Sequence, residues 1–317
     1  MSMRELLVKA KHNGVRGTVR RLLDTPKIRQ AAPIHIQPGD RINEDVPLVY
    51  CLCGTRGIVE ALWSLTSFYR FADVDWPLTI HGDGSLTAAD IETLKGHFPN
   101  VCIIRRAEAD RVMQPILEKY PHCRALREKH VFGLRLMDSE ELSVARSRIN
   151  IDTDVLFFRK PTELLEAALA HEEPNVFNRE DGAQGYAVKG EAIDSYAGRP
   201  VPPEINAGLS VLRKGTFPLA DLEDLLAQGA KSWDSYLQEQ TLTAVCSVRH
   251  AGERGVRFLG EVYQCNSRPA LAPEAAARHY YILARRLYYL QGLRKLVAEG
   301  FLQRWREPAP MREVAHA

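Results

Sequence analysis

The chain has 317 residues, 45% of them hydrophobic and 26% charged, and its 42 Lys and Arg nearly balance 40 Asp and Glu for a formal net charge of +2. These values are those of an ordinary globular protein, and so small a net charge gives no bulk attraction for nucleic acid. No apolar run approaches the roughly 18 residues that span a bilayer. The charged start "MSMRELLVKAKHNGVRG" does not read as a secretory segment, and six scattered cysteines read as reduced thiols, so the expected compartment is the cytoplasm.

The first 30 or so residues are basic: Arg4, Lys9, Lys11, Arg16, Arg20, Arg21, Lys27 and Arg29 face only Glu5 and Asp24. Interspersed leucines and valines suggest a short amphipathic helix. Composition is consistent with a solvated extension or with peripheral contact to an anionic membrane face. "AAPIHIQPGD" reads as a linker, so residues 1–44 are set apart from a single domain over 45–300 and a tail over 301–317.

From Val46 the pattern alternates. "PLVYCLCG" is a continuous apolar run ending in glycine, as in a strand buried on both faces. "GIVEALWSLTSFYRFA" has helical spacing through Val59, Leu62, Leu65 and Tyr69. "PLTIHGDG" predicts a second strand closed by a turn, and Thr87 and Asp90 have the spacing of a capping box opening a helix. "NVCIIRR" is a third strand, and "DRVMQPILEKY" and "CRALREKHVFGLRLMD" are helices. The strand "RINI" comes next and ends at Asp152-Thr153-Asp154. About four strand–helix alternations predict a mostly parallel, Rossmann-like α/β sheet flanked by helices, with ligands at the carboxyl ends of its strands.

The second half is less regular. "PTELLEAALAH", "LADLEDLLAQGA" and "DSYLQEQTLTAVCS" read as helices, and "INAGLSVLRKG" as a strand. "RHYYILARRLYYLQGLRKLVAEGFLQRW" reads as a strand followed by a long amphipathic helix through Leu283, Leu287, Leu290, Leu293 and Val297.

In extended chain, residues two apart point the same way, so Asp152 and Asp154 can converge on one cation. Hard divalent ions such as Mg²⁺ and Mn²⁺ take one or two carboxylates plus substrate phosphates. On its own, Asp-x-Asp is a weak signal that is more often a solvated turn.

"RINIDTDVLFFRKP" resembles the strand and Asp-x-Asp of glycosyltransferases with the GT-A fold, especially family 8-like bacterial enzymes. "INAGLSVLRKG", "YLQEQTLTAV" and "ARHYYILARRLYY" are similar, in order, to that family's Asn-Ser/Ala-Gly run, its Glu/Asp-Gln helix and its late His-Tyr segment. The likeness covers roughly residues 45 to 295. It implies a GT-A fold with a smaller mixed acceptor-side region. The implied activity is metal-dependent transfer from a nucleoside-diphosphate sugar to a carbohydrate or other hydroxyl acceptor, with retention. Asp154 and His279 would bind Mn²⁺ or Mg²⁺, and Asp152 the metal or the ribose. Cys53, Gly54 and Arg56 would face the nucleotide. Lys129 or Arg135 would touch the donor, Arg135 being preferred, and Asn206 would approach the donor sugar or the acceptor, with the backbone close at Gly208. Glu239 or Gln240 would lie near the anomeric carbon. The loop "FNREDGAQGYAV", with Asn178, Glu180, Asp181 and Gln184, would be acceptor-side. The family's Gly-x-x-Lys-Pro-Trp tail is missing, and Arg285 and Arg286 stand where its lysine would be. A haloacid-dehalogenase-type phosphatase shares the Asp-x-Asp strand, but no downstream acidic pair of that class is present. A nucleotidyltransferase shares a glycine-rich loop, here "CGTRG", but the proline and lysine expected after it are missing. A non-catalytic nucleotide- or glycan-binding protein is the remaining alternative.

Overall fold

A computed structural model describes residues 3–38, 44–170, 172–181, 185–229, 237–281 and 284–304, with side chains from residue 14 onward. Among these residues lie ten strands: β1 (Leu48–Cys53), β2 (Leu78–Gly82), β3 (Cys102–Ile104), β4 (Ser147–Ile151), β5 (Val155–Phe157), β6 (Val176–Arg179), β7 (Ile205–Arg213), β8 (Arg257–Phe258), β9 (Tyr263–Gln264) and β10 (Ala277–His279). Seven form one sheet in the order β3-β2-β1-β4-β7-β6-β8, and β5-β10-β9 form a second. The first four are mutually parallel, while β7 runs antiparallel to both β4 and β6. The chain builds outward from β1 to β3 and then returns to place β4 on the other side of β1. The sheet's topological switch point therefore lies between β1 and β4, where open α/β sheets hold ligands beyond their carboxyl ends.

The α/β alternation seen in the sequence is the architecture observed. The helix Ile58–Ala72 is buried along nearly its whole length, because other elements cover it on the side away from the sheet. Trp63 lies 6.2 Å from Phe301 and donates its indole N–H to the Thr25 carbonyl at 3.0 Å. Phe68 meets Phe157 edge-on at 5.2 Å. The capping box forms as spaced: Asp90 N–H donates to Thr87 Oγ1 and Thr87 N–H to the Asp90 carboxylate. Alternate residues feed two apolar layers, so Val211 joins the one around Trp63 and Leu212 the one around Leu222 and Leu242.

Two stretches differ from the sequence-based expectation. "CRALREKHVFGLRLMD" is not one helix: Pro121–Lys129 ends and a wide π-helical turn, Leu134–Asp138, follows. The chain doubles back closely enough that a Cβ on Gly133 would sit 2.7 Å from the Arg127 Cα. The C-terminal helix is likewise interrupted, by a π turn over Tyr288–Leu293, where Gly292 admits the Tyr280 hydroxyl, and again at Gly300, whose φ is +68°. Leu283 lies outside the described residues. The apolar run after Asp154 is a strand, β5, antiparallel to β10 with His279 opposite Val155.

At the N-terminus, a helix over Met3–Asp24 breaks its backbone at Gly14. Thr18, Asp24, Thr25, Ile28, Ile34 and Ile36 are buried, and Arg21 pairs with Glu60 at 2.9 Å. This segment therefore lies against the sheet-bearing body.

Candidate active site

Asp152 and Asp154 leave the carboxyl end of β4 at the switch point. The loop between them is pinned by backbone hydrogen bonds: Asp152 N–H donates to Gly208 O at 2.8 Å, and Tyr280 N–H donates to Asp154 O at 2.9 Å. The Ser64 hydroxyl holds the Asp152 carbonyl at 3.0 Å. Because β10 pairs with β5 in the register given above, His279 is delivered beside the two aspartates from a sequence distance of more than 120 residues. One ligand atom from each of Asp152, Asp154 and His279 lies within 4.8 Å of the others, and this is the metal-type cluster among the described residues.

Which imidazole nitrogen faces the carboxylates follows from hydrogen-bond bookkeeping. Asn206 Oδ1 accepts from Gly208 N–H at 3.0 Å, so the second group on that atom must also be a donor. That group is His279 Nδ1–H, at 2.8 Å. His279 Nε2 is then the atom turned to Asp154 Oδ1 at 3.2 Å and Asp152 Oδ2 at 3.8 Å. An orienting acceptor on one ring nitrogen is the usual partner of a metal-ligating histidine. Gly208 makes the approach possible, since a Cβ there would stand 2.2 Å from His279 Cε1 and 2.8 Å from Asp152 Oδ2.

The other oxygen of each aspartate is held by an arginine. Arg135 donates Nη1 to Asp152 Oδ1, and Arg285 donates Nη1 to Asp154 Oδ2. Arg135 is fixed in turn by a two-pronged pair with Glu239, at 3.0 and 2.7 Å. The electrostatics follow from this crowding. Burial pushes Asp154 up, but Arg285 and His279 outweigh it and hold the carboxyl well below its usual range. Asp152 is raised, chiefly by burial with the neighbouring Asp154 adding to it, against the pull of Arg135. His279 is lowered by burial, yet the Asp154 carboxylate prevails and carries it well above an ordinary histidine. Side-chain exposure is 30% for Asp152 against 11% for Asp154 and 5% for His279, so the cluster opens on the Asp152 side. Two carboxylate oxygens and one imidazole nitrogen converge, each already oriented by a second partner. That donor set fits a hard or borderline divalent cation such as Mg²⁺ or Mn²⁺.

The remaining expected residues divide. Gly54 stands at the end of β1, where a Cβ would strike the Asp83 carboxylate at 2.0 Å, so β1 and β2 approach closely at the same rim. Arg56 is exposed on the turn after β1. Cys53 points into the core, and burial pushes its thiol up to about 12. Lys129 is exposed at the end of its helix and is not part of the cluster, whereas Arg135 is central to it. Arg286 is exposed, unlike Arg285. Asn206 braces His279 with its oxygen, and its amide donates to Glu180 at 2.9 Å and Gln240 at 3.3 Å. Gln240 also donates to Gly185 O at 3.0 Å. Glu180, expected on the acceptor side, is thus a buried carboxylate one side chain removed from His279. Gln184 lies outside the described residues. Cys265, whose Sγ is 3.7 Å from His279 Nδ1, had no sequence signal at all.

No protein-family model and no curated protein sequence matches the chain. Among solved structures it is similar to the galactosyltransferase LgtC in complex with donor and acceptor sugar analogues, at a TM-score of 0.50 and 13% identity, over 74% of this chain and 87% of that one. It is also similar to mouse xyloside xylosyltransferase 1 in its apo form, at a TM-score of 0.48 and 15% identity, over 74% and 97% of the two chains. The chain thus has the GT-A glycosyltransferase fold, with a mostly parallel seven-stranded sheet and a smaller second one. Among the described residues, no helix is long and apolar enough to cross a membrane.

Proposed function

We propose that the protein is a divalent-metal-dependent glycosyltransferase, family 8-like, that moves a sugar from a nucleoside-diphosphate donor to a carbohydrate or other hydroxyl acceptor with retention. The observation that carries this is the convergence of Asp152, Asp154 and His279 at the β1/β4 switch point of a GT-A fold. Mn²⁺ or Mg²⁺ held by these three residues would neutralise charge on the departing diphosphate. Arg285, already beside Asp154, supplies a guanidinium fork for the same phosphates. Arg135, held by Glu239, keeps Asp152 oriented, which gives Glu239 a supporting part and leaves Gln240 and Glu180 as the polar groups for the sugar. Asn206 sets the His279 tautomer and ties it to Glu180 and Gln240. Gly54 and Arg56 border the nucleotide. Beyond metal chemistry, catalysis rests on positioning donor and acceptor. The phosphatase alternative fits less well, because β1, β2 and β3 precede the Asp-x-Asp strand, which normally opens that class's catalytic domain, and the downstream acidic pair of the class is missing from the sequence.

The test is release of nucleoside diphosphate from a panel of uridine, guanosine, adenosine and cytidine diphosphate sugars with Mn²⁺, using Asp154→Ala as control. Metal-dependent turnover of at least one donor, lost in the control, is expected. Turnover of none, or a control equal to wild type, overturns the proposal.

A further inference from the structure

Eight large hydrophobic side chains stand exposed among the described residues, and four of them fall within nine consecutive positions: Val15 (72% exposed), Val19 (47%), Leu22 (47%) and Leu23 (60%). Their spacing, i, i+4, i+7 and i+8, gathers them into an arc of about 100° on the helix after Gly14. The opposite face of that helix is fully used. Gly17, Thr18 and Asp24 are buried, and Arg21 reaches Glu60 and the Tyr289 hydroxyl. The helix is therefore docked by its polar inner side and turns its apolar side outward, the reverse of a normal surface helix. Arg16 and Arg20 border the apolar arc, and Lys27 and Arg29 follow just past the helix end. The one carboxylate in this stretch, Asp24, is buried and already shared by Arg20 and Lys27.

We infer that residues 15–29 form a docking surface for a lipid bilayer carrying anionic headgroups, with Val15, Val19, Leu22 and Leu23 entering the headgroup–acyl boundary and Arg16, Arg20, Lys27 and Arg29 meeting the phosphates. An outward apolar stripe rimmed by cations is the arrangement that suits an anionic interface. A second copy of the chain suits it less, because an isologous pairing centred on this helix sets cations against cations. The surface is also mechanically close to the candidate active site. Arg21 touches Tyr289, and the same C-terminal segment carries Arg285 to Asp154. A bilayer bound here lies one helix away from the carboxylate cluster.

The test is co-sedimentation of the full chain with phosphatidylcholine vesicles and with vesicles containing phosphatidylglycerol, alongside size-exclusion chromatography with light scattering. Binding to the anionic vesicles alone is expected. It should fall at least about 10-fold in the double variant Val19→Asp/Leu23→Asp, and several-fold in Arg16→Gln/Arg20→Gln or at high salt. Both variants alter exposed residues, and an unchanged melting temperature shows that they remain folded. No binding to either vesicle overturns the inference. So does binding that neither variant weakens, which would place the contact elsewhere. A dimer broken by Val19→Asp/Leu23→Asp without any vesicle binding also overturns it, in favour of a second copy as the occupant.

Discussion

Two clusters in this protein are built from the same three residue types, yet the Asp–His pair of one is sealed from solvent while the other opens at Asp152. In the first, Asp138 receives both prongs of Arg127, at 2.6 and 2.8 Å, and His81 Nε2 at 2.9 Å. Asp138 and His81 are completely buried, and His81 Nδ1 is taken up by the Gly82 carbonyl. In the second, Asp152 and Asp154 each give one oxygen to an arginine and turn the other toward His279, beside a glycine that keeps the space clear. The π-helical turn Leu134–Asp138 contributes to both, sending Arg135 to one cluster and Asp138 to the other. Residue type alone therefore does not mark a site. What differs is the donor: both oxygens of Asp138 are held by Arg127, which keeps its proton, whereas the second oxygen of Asp154 faces His279, which can lose its proton and become a ligand to the same cation.

The largest expected effect separates the clusters by activity. Asp154→Asn should lower metal-dependent donor hydrolysis by roughly 10³-fold, about 4 kcal/mol of transition-state stabilisation, with a fall in melting temperature smaller than that of Asp138→Ala. Steady-state kinetics and a thermal melt check this, and a fold that collapses instead would make the second cluster as structural as the first. Asp138→Ala should do the opposite, removing about 3 kcal/mol or more of stability by leaving Arg127 buried without its partner. Urea unfolding reads that loss, while Mn²⁺ affinity of the folded fraction should stay within about 3-fold. Gly208→Ala sharpens the comparison by filling the space that keeps the second cluster open. A loss of about 10- to 100-fold in Mn²⁺ affinity is expected by calorimetry, as when a ligand's supporting groups are disturbed.

The smallest effect is in pH. His279 holds its proton well above the ordinary histidine range through Asp154, and a metal-ligating imidazole must be neutral. Mn²⁺ affinity should therefore rise with pH, by about tenfold per unit while His279 remains protonated in the metal-free chain. The sign for stability is opposite. The same raised pKa stabilises the metal-free protein most below about pH 6.5, and that contribution is lost as pH rises through the higher folded value. His279→Gln should flatten the affinity profile, and an equally steep profile in that variant would assign the titration to another group.

The parallel half of the sheet was legible because its signals are local: apolar runs for β1, β2 and β4, and Thr87 with Asp90 for a cap. Asp152 and Asp154 were legible for the same reason, being two residues apart at a strand end. His279 could be paired with them only through family resemblance, since the β5–β10 register that brings it there is a long-range contact between two three-residue strands. Asn206 was expected near the donor sugar or the acceptor; that its oxygen also braces His279 is set by the Gly208 N–H and was invisible in sequence. Arg135 was preferred to Lys129 only for its nearness to β4. The break between them at Gly133 is what turns Arg135 inward while Lys129 stays on the surface. The basic N-terminal stretch had the composition of a solvated arm, and its attachment rests on a few inward residues, Arg21, Thr25 and Ile28, that composition averages away.

The central claim is that Asp152, Asp154 and His279 hold one divalent cation together with the diphosphate of a nucleotide donor. Its most direct test is an electron paramagnetic resonance titration of Mn²⁺ into the full chain with a saturating nucleoside diphosphate. The account predicts one bound Mn²⁺ per chain in the wild type, lost in Asp154→Ala and in His279→Ala while both variants remain folded. Stoichiometric binding that survives both substitutions would contradict it.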